Sequence, residues 1–348
     1  MKRSVLLILS IAIILVLIAV WLLFGSATAF KENRKYLYVY TGKTDKGSVL
    51  NFIKKNDLLK YPAIFDVLAD KMDVWEKLKP GRFEIKKGES LINITRMLRN
   101  NRQSPVNLVI NKLRTNEDIA GLIAKDFEAD SVQVSNFIKS NDSLSKLGVD
   151  QYTLMTLIIP NTYTLYWNTS PGRIFGRLKS EKEIFWDKKD RLSKAKNLGF
   201  SPNEVYTIAS IVEEETNKDD EKGNVASVYI NRYRSGMPLG ADPTIKFALN
   251  DFTLKRIYRK YLDVKSPYNT YRNTGLPPGP ICSPSAKTID AVLNSPKTNY
   301  MYFVAKSDFS GHHTFSSNYT EHLQRAKEYQ KALDTLILRK QNAGKNGL

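Results

Sequence analysis

Cysteine is almost absent from this chain of 348 residues: Cys282 stands alone. No disulfide can form within one chain, and a Cys-rich zinc site or a CxxC redox pair is excluded. Histidine is nearly as scarce. His312, His313 and His322 share one short stretch, which leaves little material for a metal site elsewhere. Acidic residues are in deficit, 35 Asp+Glu against 53 Lys+Arg, so the formal net charge is +18. There is no internal repeat and no low-complexity segment. Apolar residues make up 42% and charged residues 25%, so a folded globular protein is expected and wholesale disorder is excluded. The length suits two domains of roughly 100–200 residues each.

Long apolar runs are missing too, with one exception. Ser4 to Phe24 holds no charge and follows Lys2 and Arg3. A bilayer core needs about 20 apolar residues as helix, and this run supplies them. The rival reading is a cleaved signal peptide, because Ala27-Thr28-Ala29 has the A-x-A form of a cleavage site. A signal h-region spans about 7–15 residues, however, and this run is longer. An uncleaved anchor over residues 4–24 is therefore expected. Lys2 and Arg3 favour a cytoplasmic N-terminus over residues 1–3, while Lys31, Arg34 and Lys35 flank the far side. A long following domain translocates largely regardless of charge, so a single-pass protein with its bulk outside is expected. Outside a membrane, the +18 points to anionic head groups or an anionic wall polymer and away from nucleic acid. A solvated lysine-rich surface explains it equally well.

The element pattern is α+β. Tyr36–Thr41 reads as a strand of aromatic and β-branched residues, and 48–55 and 61–71 read as helices. Leu78-Lys-Pro-Gly then leads into a short strand (82–85), a Lys87-Gly88 turn and a helix with Leu91, Ile92, Ile94, Met97 and Leu98 apolar. This strand, K-G-E-S-L, helix pattern is that of small LysM-type modules, although any βα unit could produce it. It marks a LysM-like module at about 78–105 within an N-terminal region of 31–105. Residues 106–198 form a connecting α/β region. It runs from a strand at 106–110 through a polar helical stretch (116–150) and an extended aromatic segment (157–167). Its last part, Arg177 to Leu198, carries eight lysines and arginines and reads as one solvated helix.

The chemistry concentrates after residue 199. Ser201-Pro202-Asn203-Glu204 is a capping box with proline at the first helical position. On a helical wheel, Val205, Ile208, Ala209, Ile211 and Val212 form one apolar face. Glu215 falls about 50° from its centre, whereas Glu213 and Glu214 fall roughly 110° and 150° away, on the polar side. Burial raises a carboxyl pKa and makes a general acid of it. A helix-end carboxylate paired with a basic neighbour is the plain alternative. A second amphipathic helix follows from Asn224 to Arg234, closed by Gly236. Then come loops dense in Gly, Pro, Asn, Tyr and Thr, a composition that suits sugar hydroxyls and CH faces.

These segments resemble the MltG (YceG-like) family of membrane-anchored endolytic murein transglycosylases. The resemblance is carried by Ala209-Ser-Ile-Val-Glu-Glu-Glu-Thr216, Val225-Ala-Ser-Val-Tyr-Ile-Asn-Arg232, Asp242-Pro-Thr244, Tyr268-Asn-Thr-Tyr271, Gly275-Leu-Pro-Pro-Gly279, Tyr302-Phe-Val-Ala305 and His313-Thr-Phe315, in that order. Pro160-Asn-Thr-Tyr163, the LysM-like stretch and the anchor extend it upstream. Asn161 stands where the family commonly has Asp, Glu214 where Lys is common, and His312 is an extra neighbour.

The resemblance implies a YceG-like catalytic domain over 199–340 with Glu215 as the catalytic residue on its helix, and Glu213 as the fallback. The implied substrate is the β-1,4 bond between N-acetylmuramic acid and N-acetylglucosamine within nascent peptidoglycan strands. One glutamate would protonate the leaving oxygen and then, as carboxylate, take the C6 hydroxyl proton. A 1,6-anhydro end results, strand elongation is limited, and no metal or cofactor is used. Tyr268, Asn269, Thr270 and Tyr271, with Asp242 and Thr244, are candidates for substrate binding. Asn231, His313 and Thr314 are candidates for orienting the site. Asp242 reads as a helix cap or scaffold, or as the second carboxylate of a hydrolase. His313 reads equally as a structural histidine. Implied partners are peptidoglycan strands, the membrane through the N-terminal helix, and the wall-synthesis machinery, with no nucleic acid. The implied location is the bacterial inner membrane with the catalytic domain outside. A different class stays open, a non-catalytic anchored peptidoglycan-binding or scaffold protein.

Overall fold

The computed structural model describes residues 2–345. In chain order its elements are α1 (Lys2–Phe24), β1 (Arg34–Val39), α2 (Lys46–Lys55), α3 (Pro62–Lys71), α4 (Val74–Lys77), β2 (Gly81–Lys86), α5 (Leu91–Arg99), β3 (Pro105–Ile110), α6 (Asn116–Asp126), α7 (Ser131–Lys139), α8 (Asn141–Leu147), β4 (Asn161–Tyr166), α9 (Pro171–Asp187), α10 (Arg191–Leu198), α11 (Pro202–Glu215), α12 (Lys222–Arg234), α13 (Asp242–Ala248), α14 (Ala286–Leu293), β5 (Tyr302–Ala305), β6 (His313–Ser316) and α15 (Tyr319–Lys345). The strands make three two-stranded sheets, β1–β2, β3–β4 and β5–β6. The architecture is mixed α+β, as the element pattern predicts. The chain divides into two compact units. One takes the chain up to Leu108 with Leu122–Ser131 and Tyr163–Pro171. The other takes Val109–Gly121, Val132–Thr162 and the chain from Gly172 onward.

Helix α1 is apolar on every face. Within its Arg3–Phe24 stretch of 22 residues an 18-residue window has a mean hydropathy of 3.3, and its large side chains from Val5 through Trp21 lie exposed. At 1.5 Å per residue such a helix is about 33 Å long, enough for a hydrocarbon core of about 30 Å. Among the described residues it is the one helix long and apolar enough to cross a membrane. The A-x-A segment that follows is built into the first unit. Ala27 and Thr28 are buried, Ser26 bridges to Ser90 and Thr28 to Leu59, and the Ala27 N–H donates to the Glu89 carbonyl at 3.0 Å.

The first unit packs its helices on an antiparallel pair, with Leu37 opposite Phe83 and Val39 opposite Gly81. Leu37, Val39, Phe83 and Ile85 alternate inward and meet Val49, Ile53, Phe65, Leu91, Ile94 and Leu98 in one core. The strand, turn and helix expected at 82–99 are present as β2, a left-handed Gly88 (φ +82°) and α5 capped by Ser90. The partner of β2 is β1, with α2, α3 and α4 between them. The pairing therefore extends this module back to Arg34, upstream of the 78–105 expectation. A strand needs a hydrogen-bonded neighbour, and here that neighbour is some 45 residues earlier in the chain.

The second unit is organised around α11, whose residues Val205 to Val212 are buried on all sides. Its core includes Ile208, Ile211, Val212, Val225, Tyr229, Ile289 and Val292. The expected single solvated helix over 177–198 is corrected. It breaks at Lys189 and Asp190, both at positive φ, into α9 and α10. Its basic residues are not all solvated either. Arg191 is buried, stacks 3.8 Å from the Phe185 ring and makes a two-pronged contact with Asp290 at 2.6 and 3.0 Å. Such a bidentate pair satisfies a guanidinium that leaves water.

Candidate active site

The capping box predicted for α11 is present. Ser201 Oγ accepts from the Glu204 N–H at 3.3 Å, and Glu204 Oε2 accepts from the Ser201 N–H at 2.7 Å. Fixing the start of the helix fixes the phase of its last turn, where the three glutamates sit. The apolar face is buried as the wheel requires, but the expected polar side does not face water. Glu213 accepts from Lys222 Nζ at 3.2 Å, from Ser285 Oγ at 3.3 Å and from the Thr288 hydroxyl. Glu214 meets Lys112 Nζ at 2.9 Å and Arg114 Nη2 at 3.1 Å. Their side chains are only 16% and 15% exposed, because α11 is covered on its polar side as well. Burial pushes the Glu214 carboxyl up, but the Lys112 and Arg114 hydrogen bonds outweigh it and hold the group below the ordinary glutamate value.

Glu215 ends the helix and lines a cavity of about 480 Å³ with Tyr229, Arg232, Asp242, Tyr271, Tyr302, Phe303, Tyr319 and His322. Tyr229 donates its O–H to Glu215 Oε1 at 2.5 Å. Burial pushes the Glu215 carboxyl up to about 7. The nearby Asp242 charge adds to this, while the Tyr229 bond, Lys246 and Arg232 pull the other way. The cause is the one that makes general acids: removal from water with no cation bonded to the carboxylate. Burial and the Glu215 charge together push the Tyr229 phenol well above its ordinary range, so it is held as a donor.

Of the residues expected around Glu215, Asp242 and Tyr271 do line the cavity, and Tyr271 donates to Asp242 Oδ1 at 2.5 Å. The cap reading of Asp242 is corrected. The N-cap of α13 is Ala241, and Asp242 is its first helical residue. The remaining candidates do not line this cavity. Asn269 is buried and donates to the carbonyls of Leu262 and Val264, each at 2.9 Å. Thr270 Oγ1 accepts from the Ala241 N–H at 3.0 Å and pairs with Thr244 Oγ1 at 2.9 Å, both threonines being buried. Tyr268 packs 4.6 Å from the Phe247 ring. These residues shape the loop that presents Tyr271, whose N–H donates to Asn269 Oδ1 at 3.0 Å. Asn231 donates to the Thr298 and Tyr300 carbonyls, and Thr314 pairs with Val304 in the β5–β6 ladder.

His313 also lies away from the cavity. Its ring Nδ1 is 2.8 Å from Glu221 Oε1, and its N–H donates to Glu221 Oε2 at 2.8 Å. The same Glu221 accepts from Thr216 Oγ1 at 2.5 Å, and Thr216 caps α11 directly after Glu215. The histidine therefore holds the end of the helix that carries Glu215. Tyr229, Arg232, Tyr302, Phe303, Tyr319 and His322 also line the cavity and were not among the site candidates, although the first four fall in the segments that carry the resemblance. A signal existed for two pairs, because Tyr229 with Arg232 and Tyr319 with His322 are three apart on one helix and so share a face.

Fold and cavity together define an α+β protein with one protonatable, partly sequestered carboxyl in a tyrosine-lined groove. The chain belongs to the YceG-like family, whose profile matches residues 37–328. It is 39% identical over 137 residues to a Bacillus subtilis protein named endolytic murein transglycosylase, covering 39% of this chain and 37% of that one. It is 28% identical over 307 residues to a Streptococcus pneumoniae protein of the same name, covering 80% of this chain and 55% of that one. The chain thus spans about half or less of the length of these curated relatives. A YceG-like protein crystal structure from Listeria monocytogenes superposes with a TM-score of 0.55 at 24% identity, covering 84% of this chain and 99% of that one, and so shares the fold.

Proposed function

We propose that this chain is a membrane-anchored endolytic murein transglycosylase with Glu215 as its single general acid and base. The observation that carries the reading is the state of Glu215, a carboxyl pushed up to about 7 at the wall of a tyrosine-lined cavity. The names of the relatives supply the reaction class. The contacts of the fallback, Glu213, favour Glu215 for the role, since the Glu213 carboxylate is held by the Lys222 ammonium and two hydroxyls.

Tyr229 donates to Oε1, so the proton of the acid belongs on Oε2. That proton passes to the glycosidic O4 of N-acetylglucosamine as the C1–O4 bond of the muramic unit breaks. The glutamate, now a carboxylate, takes the proton of the muramic C6 hydroxyl as O6 bonds to C1. A 1,6-anhydro ring forms, no water is consumed, and Glu215 regains its proton. Intramolecular attack gains effective molarity over bulk water.

Anchoring through an uncleaved α1 follows from its length and from the way Ser26–Thr28 is built into the first unit. The β1–β2 module is proposed as LysM-like, and the bulk of the chain as extracytoplasmic. A second reading has one observation behind it: Asp242 shares the cavity, and two carboxylates are what a hydrolysing muramidase uses. Mass spectrometry of ends released from uncrosslinked peptidoglycan decides the matter. Anhydro ends that vanish in Glu215→Gln are expected. Reducing ends that vanish in Asp242→Asn would move the assignment to hydrolysis. Strands bound but not cut would leave an anchored binding protein.

A further inference from the structure

Besides the two carboxylates, the cavity is lined by side chains of different character. Arg232 is locked in place, with Nε donating to the Met301 carbonyl at 2.7 Å and Nη1 to the Leu239 carbonyl at 2.6 Å. Its guanidinium carbon lies 5.3 Å from the centre of the Tyr302 ring. Tyr302 stacks on His322 at 5.1 Å and 21°, and Tyr319 leans against Tyr302 at 5.7 Å. His322 Nδ1 is buried with no hydrogen-bond partner among the described residues.

We propose that Arg232, Tyr302, Tyr319 and His322 form a saccharide subsite that accepts N-acetylated amino sugars and rejects sugars with a free amino group. The inference rests on the reading of this cavity as a glycan site and adds a substrate preference to it. The argument is one of donors and acceptors. Two donors of Arg232 are bound to carbonyls, which leaves Nη2 to face a ligand. Burial, reinforced by the Arg232 charge, holds His322 below the ordinary imidazole range, so its ring is neutral with a single proton. A buried Nδ1–H with no acceptor would cost free energy, so the proton belongs on Nε2, which is left for the cavity. The two basic groups of this wall, Arg232 and His322, therefore offer the cavity donors and no acceptor, beside tyrosine hydroxyls that can do either. An acetamide carbonyl accepts from them while the sugar's CH face lies on the tyrosine rings. A free amine is protonated at neutral pH, only donates, and adds a positive charge beside Arg232. Rejection by an unpaired donor and a like charge is stronger than any loss of contact area.

The test uses the full chain in detergent carrying Glu215→Gln, so that binding is read without cleavage. Three ligands are compared: N-acetylated uncrosslinked strands, the same strands chemically de-N-acetylated, and acetylated strands stripped of peptide stems by an amidase. Binding at least about tenfold weaker to the de-N-acetylated strands, and unchanged by stem removal, is expected. Adding His322→Phe keeps the stacking and removes the donor, so the preference collapses. His322→Gln restores an N–H donor, so the preference persists. Equal binding of acetylated and de-N-acetylated strands overturns the proposal, as does binding of neither. A preference that follows the stems overturns it too, because the donors would then be reading stem carboxylates. Should His322→Phe fail to fold, the three-ligand comparison on the intact wall decides alone. Failure of the parent chain to cleave acetylated strands would sink the transglycosylase reading, while the binding comparison would still decide the subsite.

Discussion

On the covered side of α11, Glu213 and Glu214 meet Lys222, Lys112 and Arg114. On the cavity side, one residue further on, Glu215 meets a tyrosine hydroxyl and, beyond it, a second carboxylate. All three are glutamates in one turn of one helix, and all three leave bulk water. What separates them is whether a cation follows them in. With a cation bonded, the carboxylate serves the fold. Without one, burial holds the proton on and the group becomes an acid.

Exchanging Glu215 for Gln tests the cavity side most directly. The isosteric amide keeps the volume and can still accept from Tyr229, so folding persists while proton transfer is lost. Turnover of peptidoglycan strands should fall on the order of 10³-fold, while the unfolding transition stays cooperative. Retained turnover would remove Glu215 from the chemistry. The same exchange at Glu213 should do the reverse. Lys222 is 6% exposed and would face a neutral amide in place of its buried carboxylate, with the Thr288 hydroxyl and the exposed Asp219 as its other partners. A stability loss of about 2 kcal/mol is expected in denaturant unfolding. Turnover in the folded fraction should keep its pH profile.

Smaller effects come from tuning the acid without removing it. Activity that needs a protonated Glu215 declines as pH rises through about 7. The Asp242 charge helps hold that proton on, so Asp242→Asn should move the basic limb of kcat/KM to lower pH. Tyr229 stabilises the carboxylate by donating to it, so Tyr229→Phe should move the same limb to higher pH. Shifts in the same direction for both variants would contradict the assigned causes.

How much of this was visible in the sequence follows from what each feature depends on. The phase of α11 is a local matter, set by Ser201, Pro202 and the apolar repeat, so the special position of Glu215 could be read from a wheel. The fate of Glu213 and Glu214 was not local. Their cations come from Lys112, Arg114 and Lys222, and no periodicity reports that α11 is covered all round. The loop residues were legible as a cluster but not as roles, because Asn and Thr stabilise a loop's own carbonyls as readily as they bind a sugar. Asn269 does the former, Thr270 accepts from the Ala241 N–H and pairs with Thr244, and only Tyr271 of that segment reaches the cavity. Tyr302, Tyr319 and His322 could not be read as one wall of the cavity, because they gather by long-range packing of β5 against α15.

The mildest expected effect compares the two sides of α11 within one titration of stability. The folded-state pKa of Glu215 is raised, so its protonated form favours the folded state. That contribution is complete below the unfolded value of 4.5 and is lost as pH rises toward about 7. The folded-state pKa of Glu214 is lowered, so its contribution is complete above 4.5 and is lost as pH falls through its folded value. Together they favour a stability maximum on the acid side of neutrality, with Glu215 shaping the upper limb and Glu214 contributing to the lower one beside other carboxyls held low, such as Glu221 and Asp150. Denaturant melts of the full chain in detergent from pH 3 to 8 should show both limbs. Glu215→Gln should flatten only the limb between 4.5 and 7, and Glu214→Gln should flatten only the limb below 4.5. A single variant that flattens both would mean that the two carboxyls titrate as one coupled pair. The contrast between the sides of the helix would then have to be redrawn as a shared proton.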